Sequence, residues 1–386
     1  MDKRKIVILN QAANYLTVGF ANAFLKEFDE VVLITGSIHI QGEELDSGVK
    51  VHKINPWREN PSWKKASSYI LALFRMWWLL MTCYRKHEVF FVSVPPMGYL
   101  LNLIVPHRFS MVIWDVYPDV FKITGMQESH FVYKAWTWLN RRSFRKAYKL
   151  FTISEKMAEL LVQYVNKNKI VIQPIWSIFQ ENTKIEKSVN KFIALHDLEN
   201  KFVVQYSGNI GLTHNVEALI DIAEALKDES EIMFQIIGRG PRKKYLEELV
   251  KERQLPNCTF LPFQSDEMFP YSLSAADLGV VILDEKTSKG SVPSKSYNLM
   301  SYGIPSLYIA SKDSQLGVYS KNYNHAKLFT KAELKDAANF VKELSVNSNL
   351  HQTLSANAVK ASMDFKRNNA DIFVEEYLNE NEAIFN

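Results

Sequence analysis

The sequence has few cysteines and none of the spacings that mark a metal site. Its 386 residues include two cysteines, Cys83 and Cys258, which lie far apart. That usage indicates a reducing compartment and excludes a disulfide framework. The nine histidines are scattered, with no Cys/His spacing typical of a zinc site. We therefore expect no metal.

Long hydrophobic runs are also missing. The longest apolar stretch, Tyr69–Tyr84, contains Arg75 and is shorter than the ~20 residues that a membrane-spanning helix needs. The run Ile6–Leu9 is too short for a secretory signal and predicts a first buried strand instead. We expect a cytoplasmic protein without a membrane span.

Charge is distributed unevenly along the chain. Residues 1–173 hold 23 basic and 14 acidic side chains, a net +9, while the remainder is net −5. Such an asymmetry indicates an anionic surface or ligand facing the first half, although drift in surface charge would give the same pattern.

Short apolar runs alternate with amphipathic stretches almost throughout, which favours crossover units and parallel sheets. The predicted strands include Ile6–Leu9, Val31–Thr35, Val89–Val92, Met111–Trp114, Phe202–Tyr206, Met233–Ile237, Leu278–Ile282 and Ser306–Ile309. The fold class is therefore α/β, with two doubly wound Rossmann-like domains facing a cleft. We predict a first domain over 1–173, a linker over 174–198, a second domain over 199–365, and a last helix, 366–386, that crosses back to the first domain.

The stretch from Ser288 to Ala310 is the most informative. A Gly290 loop leads to Pro293 and a predicted helix, with Ser294, Lys295 and Asn298 on its first turns. The free N–H groups of a helix start, together with the Lys295 charge, would hold an anion. Asn298 can bond a sugar hydroxyl, so this stretch suits a nucleotide diphosphate.

Other candidate residues follow predicted strands. In the second half these are Gly208 and Asn209, where the backbone can approach phosphate, Arg239 between two glycines, and Phe263, which could stack on a base. In the first half Asp115 and Asp119 follow a strand and should reach the cleft. A capping role for these aspartates, or simple packing for Phe263, would explain them equally well.

These motifs resemble a known family. The order YSGNIG, IIGRGP, LPF and VPSKSYNLMSYGIP is similar to the donor domain of GT-B glycosyltransferases of family 4, as in bacterial O-antigen and capsule synthesis. The segment WDVYPD, Trp114–Asp119, resembles their Asp-x-x-Pro-Asp segment, and Gly19 lies where they carry a glycine-rich loop.

The resemblance implies retaining transfer of a sugar from a UDP- or GDP-sugar to a polyprenyl-diphosphate-linked or other glycan acceptor, without a metal or other cofactor. Lys295 would neutralise the leaving diphosphate, while Gly208, Asn209 and Arg239 approach the phosphates. Asp115 would bind the reacting sugar or orient the acceptor hydroxyl. Gly19 and Asp119 would face the acceptor.

The sequence departs from the family pattern at two positions. Many members carry two glutamates seven residues apart, and the corresponding residues here are Gly290 and Asn298. Asn298 can still bond a ribose hydroxyl, but less strongly than a carboxylate. Asp284 or Glu285, on the preceding loop, would be the substitutes for the contact that Gly290 cannot make.

Two segments of the first half combine basic and aromatic residues. Tyr133–Leu150 holds six cations and no acid, and Tyr69–Tyr84 contains Trp77 and Trp78. Such helices suit the surface of an anionic bilayer, which favours a protein held peripherally on the inner face of the plasma membrane. They could instead cover the sheet, with the aromatics in the core. No nucleic-acid module is recognisable.

Two alternative functions remain compatible with the sequence. A nucleotide-sugar 2-epimerase shares the architecture but needs acid and base residues in the cleft, and no well-placed histidine or carboxylate pair occurs. A sugar-nucleotide-binding protein without turnover is permitted by Gly290 and Asn298.

Overall fold

The computed structural model describes residues 3–58, 62–180, 184–211, 214–286 and 288–379. The chain divides into two compact units. Unit 1 extends to Ile178 and resumes at Lys366, and unit 2 is Phe179–Phe365. The division falls inside the segment 174–198 that the sequence analysis assigns to a linker, and residues 179–198 are part of unit 2.

Unit 1 begins with alternating strands and helices. The strands are β1 (Lys5–Leu9), β2 (Ala12–Ala13), β3 (Glu30–Thr35), β4 (Ser37–Ile38), β5 (Lys50–Lys53), β6 (Glu88–Val92), β7 (Phe109–Ile113), β8 (Leu150–Thr152) and β9 (Ile170–Ile172). The helices are α1 (Tyr15–Phe24), α2 (Ser62–Thr82), α3 (Phe131–Lys146) and α4 (Glu155–Leu161).

The main sheet of unit 1 is parallel, with strand order β5-β3-β1-β6-β7-β8-β9. The interior strand β1 lies between β3 and β6, and Ile6–Leu9 are fully buried. A continuous apolar run is what a strand covered on both faces requires, which is why these four residues predict it correctly.

Unit 2 repeats the alternation. The strands are β10 (Phe202–Asn209), β11 (Ile232–Arg239), β12 (Cys258–Leu261), β13 (Leu278–Ile282), β14 (Ser306–Ile309) and β15 (Ala326–Phe329). The helices are α5 (Lys191–Leu195), α6 (Glu217–Ala225), α7 (Lys243–Glu252), α8 (Phe269–Ser274), α9 (Lys295–Ser301), α10 (Gln315–Tyr323), α11 (Leu334–Val346) and α12 (Ser348–Ser362). The sheet is parallel, in the order β12-β11-β10-β13-β14-β15.

The last helix, α13 (Asn369–Leu378), belongs to unit 1. It packs against α1 through aromatic pairs, with the Phe20 and Phe373 ring centroids 4.9 Å apart and those of Phe24 and Tyr377 5.2 Å apart. Edge-to-face pairs of this kind stabilise a contact beyond the area that they bury. The tail is therefore part of the core of unit 1.

The carboxyl ends of β10 and β11 approach each other very closely. Gly208 and Gly238 are paired in the strand register. A Cβ built on Gly238 would lie 1.9 Å from the Gly208 carbonyl oxygen, which is a backbone atom and cannot move aside. Only glycine fits at position 238, and this approach fixes the backbone at Gly208.

We predict that Gly238→Ala destabilises unit 2 by ~3 kcal/mol or more, because the new methyl group forces the two strands apart. The control is Gly211→Ala, whose Cβ would meet only the end of the Asn209 side chain, at 3.0 Å. Urea unfolding measures both variants. Equal midpoints for the two would show that the strands tolerate a side chain at position 238.

Candidate functional site

Unit 2 contains a cavity of about 300 Å³ at the carboxyl end of β10. Loops that follow the strands and the first turn of α9 form its walls. In doubly wound sheets this edge is where ligands bind. The lining residues are Ser207, Gly208, Asn209, His214, Phe263, Gln264, Phe269, Pro293, Ser294, Lys295 and Asn298.

Lys295 is the central charged group of this cavity. Its Nζ is buried, and none of the residues that the structure describes accepts a hydrogen bond from it. It lies 3.8 Å from the centroid of the Tyr206 ring. The Tyr206 hydroxyl donates to the Asn209 carbonyl oxygen at 2.6 Å, which holds the ring in place. An aromatic face stabilises a cation only partly, so the amine keeps its capacity to donate.

Burial changes the protonation of this amine. Desolvation lowers the pKa of Lys295 from its ordinary value to about 7. The ammonium and the neutral amine are therefore both populated near neutral pH. An anion placed in the cavity would favour the charged form, because an opposite charge at short range raises the pKa of an amine.

Gly208 brings the backbone next to Lys295. A Cβ built at this position would lie 2.9 Å from Nζ. The absence of a side chain therefore leaves the space beside the amine open. A phosphate group could contact the backbone of the β10 end and the amine of Lys295 together.

His214 lines the same cavity, a role that the sequence analysis does not assign to it. Its pKa is lowered to about 4, first by desolvation and then by the charge of Lys295. The imidazole is therefore neutral at physiological pH. The signal available in the sequence is its place in the loop between β10 and α6, six residues after Gly208.

The structure brings most of the predicted donor-binding residues together. Besides Gly208 and Lys295, the cavity wall includes Asn209, Ser294, Asn298 and Phe263. Arg239 lies outside the wall, with its guanidinium carbon 5.6 Å from the Phe263 ring centroid. Residues from four separate stretches of sequence thus meet at one end of the sheet.

The two positions that depart from the family pattern differ in their surroundings. Asn298 lines the cavity, whereas Gly290 ends the short 3-10 helix Ser288–Gly290. Of the two proposed substitutes, Glu285 accepts a hydrogen bond from the Lys331 backbone N–H at 2.8 Å. Asp284 accepts one from the Lys286 backbone N–H at 2.9 Å. Both carboxylates therefore already stabilise local backbone.

In unit 1, Asp115 follows β7 and is exposed, as a residue that acts on a ligand must be. Partial desolvation raises the pKa of its carboxyl above the ordinary value. Its neighbour Tyr117 has a pKa raised to about 12, chiefly by burial and then by the charge of Asp115. Asp115 thus remains a candidate residue at the carboxyl end of the sheet of unit 1.

Asp119 requires a correction, because its side chain is buried inside unit 1. Its carboxylate accepts hydrogen bonds from the hydroxyls of Tyr133 and Tyr164, both at 2.8 Å, and pairs with Lys122 at 2.8 Å. A carboxylate satisfied in this way ties α3 and the segment that follows α4 to the β7 end. We now interpret Asp119 as a structural residue and not as an acceptor contact.

Gly19 also requires a correction. It lies in the middle of α1 and not in a glycine-rich loop. A Cβ built on it would come within 2.5 Å of the Trp176 indole ring, and its carbonyl oxygen accepts from Arg367 at 3.0 Å. The glycine is needed for close packing inside unit 1, so these contacts give no support to the predicted acceptor role.

Among the residues that the structure describes, no three His, Cys, Asp or Glu side chains are grouped so that they could hold a metal ion. Across the same residues, no helix combines the length and the apolar character needed to span a bilayer.

We predict that Lys295→Met stabilises the ligand-free protein most below about pH 7. An amine whose folded pKa is near 7 and whose unfolded pKa is near 10.5 costs the folded state its full penalty while both states are protonated. The penalty falls as pH rises from about 7 towards 10.5, so the advantage of methionine disappears over that range.

Thermal unfolding midpoints measured across this range test the effect. The control is Lys335→Met, which replaces an exposed lysine of unit 2. A difference between wild type and Lys295→Met that does not change with pH would mean that the amine is solvated.

Comparisons with known proteins agree with this picture. Residues 189–361 match the family model described as glycosyl transferases group 1. The chain is 31% identical over 169 residues to the putative colanic acid biosynthesis glycosyl transferase WcaI of Escherichia coli (strain K12). The aligned residues cover 43% of this chain and 41% of that protein. The alignment therefore spans less than half the length of this curated relative.

Solved structures match nearly the whole chain. WaaG, a glycosyltransferase involved in lipopolysaccharide biosynthesis, superposes with a TM-score of 0.72 at 12% identity, over 97% of this chain and 99% of that one. Anabaena HepE in complex with UDP and glucose gives the same TM-score and coverage at 16% identity. These matches confirm the predicted fold class, GT-B with two Rossmann-like domains. The match to the glycosyl transferases group 1 model covers the segment in which the motifs of the second half lie.

Proposed function

We propose that this chain is a retaining glycosyltransferase that acts in surface polysaccharide biosynthesis. It would move a sugar, a hexose or a related residue, from a UDP- or GDP-sugar to a polyprenyl-diphosphate-linked or other glycan acceptor. No metal takes part in this scheme. The chain would work in the cytoplasm, on the inner face of the plasma membrane.

The observation that carries the proposal is the buried amine of Lys295. An amine without a hydrogen-bond partner at the wall of a cavity is expensive to maintain, since burial without compensation destabilises the folded state. The cost is offset when an anion enters and accepts from Nζ. The open space at Gly208 and the polar wall residues Ser294 and Asn298 suit a diphosphate with an attached ribose.

The same arrangement favours chemistry on the diphosphate and not only its binding. When the bond between the sugar and the diphosphate breaks, negative charge accumulates on the leaving phosphate oxygens. A fixed, buried ammonium stabilises that developing charge more than it stabilises the ground state. His214, which is neutral at physiological pH, can donate or accept one further hydrogen bond there.

The names of similar proteins support the proposed function. A relative is named for colanic acid biosynthesis, and a structural neighbour is named for lipopolysaccharide biosynthesis. A second neighbour holds UDP and glucose. A nucleotide sugar is therefore the donor class that we propose for the cavity of unit 2.

We propose Asp115 as the residue of unit 1 that acts on the reacting sugar or on the acceptor hydroxyl. It is exposed at the carboxyl end of β7, and desolvation raises the pKa of its carboxyl above the ordinary value. The net charge of +9 over residues 1–173 is consistent with an acceptor that carries a diphosphate.

We predict that Lys295→Ala lowers kcat by about 10²–10³-fold, because the leaving diphosphate loses its counter-charge. The assay measures sugar transfer from a panel of UDP- and GDP-sugars to a polyprenyl-diphosphate-linked monosaccharide. Lys335→Ala, at an exposed lysine of the same unit, should retain wild-type turnover.

Three outcomes would contradict the proposal in different ways. Near-equal turnover of Lys295→Ala and wild type would remove Lys295 from the chemistry. Solvent deuterium in the recovered donor sugar would indicate epimerisation. Calorimetric binding of UDP or GDP-sugars without transfer to any acceptor in the panel would indicate a binding protein.

A further inference from the structure

Tyr206 joins two parts of the candidate site that come from distant stretches of the chain. It belongs to β10 and is completely buried. Its ring contacts the amine of Lys295, the first residue of α9, and its hydroxyl bonds the backbone of Asn209, the last residue of β10. One side chain therefore contacts both the charged group and the strand end that face the cavity.

The ring of Tyr206 and the backbone of Gly208 both lie close to the amine of Lys295. Nζ is 3.8 Å from the ring centroid and 2.9 Å from the point that a Cβ on Gly208 would occupy. A smaller side chain at position 206 would leave Nζ without the ring, and a larger one at position 208 would displace it. The place of the amine thus depends on a ring that is present and on a side chain that is absent.

An aromatic ring holds a cation without neutralising it. A ring face attracts an ammonium less strongly than a carboxylate does and does not pair with its charge. An aspartate or glutamate in its place would neutralise the amine, and an incoming diphosphate would have to displace it. The Tyr206 ring leaves the charge of Lys295 available, and none of the described residues accepts a hydrogen bond from Nζ.

The hydroxyl of Tyr206 makes the second contact. It donates to the Asn209 carbonyl oxygen at 2.6 Å, so the side chain folds back over the end of its own strand. Burial raises the pKa of this hydroxyl above its ordinary value, and it therefore remains a donor near neutral pH. The bond spans Gly208, the residue whose backbone lies beside the amine. A phenylalanine at position 206 would keep the ring and lose this bond.

We propose that Tyr206 is a positioning residue of the donor site: its ring holds the Lys295 ammonium in place, and its hydroxyl holds the end of β10 against which the diphosphate lies. This inference rests on the proposed function, because it takes the diphosphate of a nucleotide sugar as the ligand. Tyr206 is buried and does not line the cavity, so it acts through Lys295 and Asn209 and not by contact with the donor.

The ring also affects the protonation of Lys295 in a direction that can be measured. An aromatic face stabilises the ammonium relative to the neutral amine, so it opposes the desolvation that lowers the pKa of Lys295 to about 7. Tyr206→Leu removes the ring and should lower this pKa further, by about one pH unit. Tyr206→Phe retains the ring and should leave it unchanged.

The pH dependence of stability measures the contact between ring and amine without any ligand. Lys295→Met is introduced into wild type, Tyr206→Phe and Tyr206→Leu, and the gain in thermal unfolding midpoint is measured across pH. The gain is largest while the folded protein carries the ammonium, and it falls as pH rises above the folded pKa of the amine. In Tyr206→Leu the fall should begin about one pH unit lower than in wild type. In Tyr206→Phe it should begin at the wild-type pH.

Tyr308 supplies the matched control for this comparison. It is an equally buried tyrosine of unit 2, and its hydroxyl bonds Nε2 of His325 at 2.7 Å. In a Tyr308→Leu background the fall should begin as in wild type. Tyr206→Phe differs from wild type by one atom, so it keeps the proposal testable if Tyr206→Leu does not fold.

Calorimetric titration with UDP measures the contribution of the hydroxyl. Tyr206→Phe should weaken UDP binding about fivefold, because the loss of one buried hydrogen bond loosens the strand end. Tyr308→Phe also loses a buried, bonded hydroxyl and should bind UDP like wild type. Since Tyr206→Phe retains the ammonium, its kcat for sugar transfer should stay close to that of wild type.

Two results would overturn the proposal. The same onset of the fall in Tyr206→Leu and Tyr308→Leu would show that the ring does not act on the amine. UDP binding by Tyr206→Phe as tight as by Tyr308→Phe would show that the hydroxyl does not serve the donor site. A wild type that binds no UDP would instead contradict the proposed function, and the pH comparison, which needs no nucleotide, would still decide the contact between the ring and Lys295.

Discussion

A buried amine without a hydrogen-bond partner among the described residues is the constraint on which the candidate site depends. Lys295 has the Tyr206 ring beneath it and no hydrogen-bond partner among the described residues. The low-dielectric surroundings that make this arrangement costly also make it effective, because a charge acts most strongly where water is excluded. The glycines at 208 and 238 belong to the same constraint, since they bring the strand ends close and leave the space beside Nζ open.

Unit 1 is organised by different forces. Its sheet is covered by apolar helices, among them the C-terminal α13, and a buried carboxylate at Asp119 joins three of its segments. The cations of helices α2 and α3 lie at its surface, where they contribute little to stability and can instead select a partner. The excess positive charge of the first 173 residues is thus carried partly by helices α2 and α3.

The sequence predicts the parallel sheets well because their strands are continuous apolar runs. The runs at 278–282 and 306–309 have the bounds of β13 and β14. It misses β15, a four-residue edge strand in which only Ala326 is buried and Lys327 interrupts the apolar run. The boundary between the units could not be predicted from hydrophobic periodicity either. The sequence of 179–198 has no regular pattern, yet this segment belongs to unit 2.

Site residues could be predicted where backbone chemistry limits the choice, as at Gly208, Lys295 and Asn298. Two expectations about position were not met: Gly19 lies within helix α1, where Trp176 fills the space beside it, and the Asp119 side chain is buried among partners from distant parts of the chain. His214 was missed because nothing local distinguishes a histidine in a loop from one that lines a cavity. Tertiary packing determines the surroundings of these three residues, and their spacing along the sequence does not reveal that packing.

The central claim is that a diphosphate enters the cavity of unit 2 and restores the charge of Lys295. Calorimetric titration with UDP at about pH 8, in buffers of different ionisation enthalpy, measures the protons taken up on binding. Since the free amine has a pKa of about 7, the account predicts uptake of nearly one proton by wild type and none by Lys295→Met. Tight binding of UDP by wild type without proton uptake would contradict it.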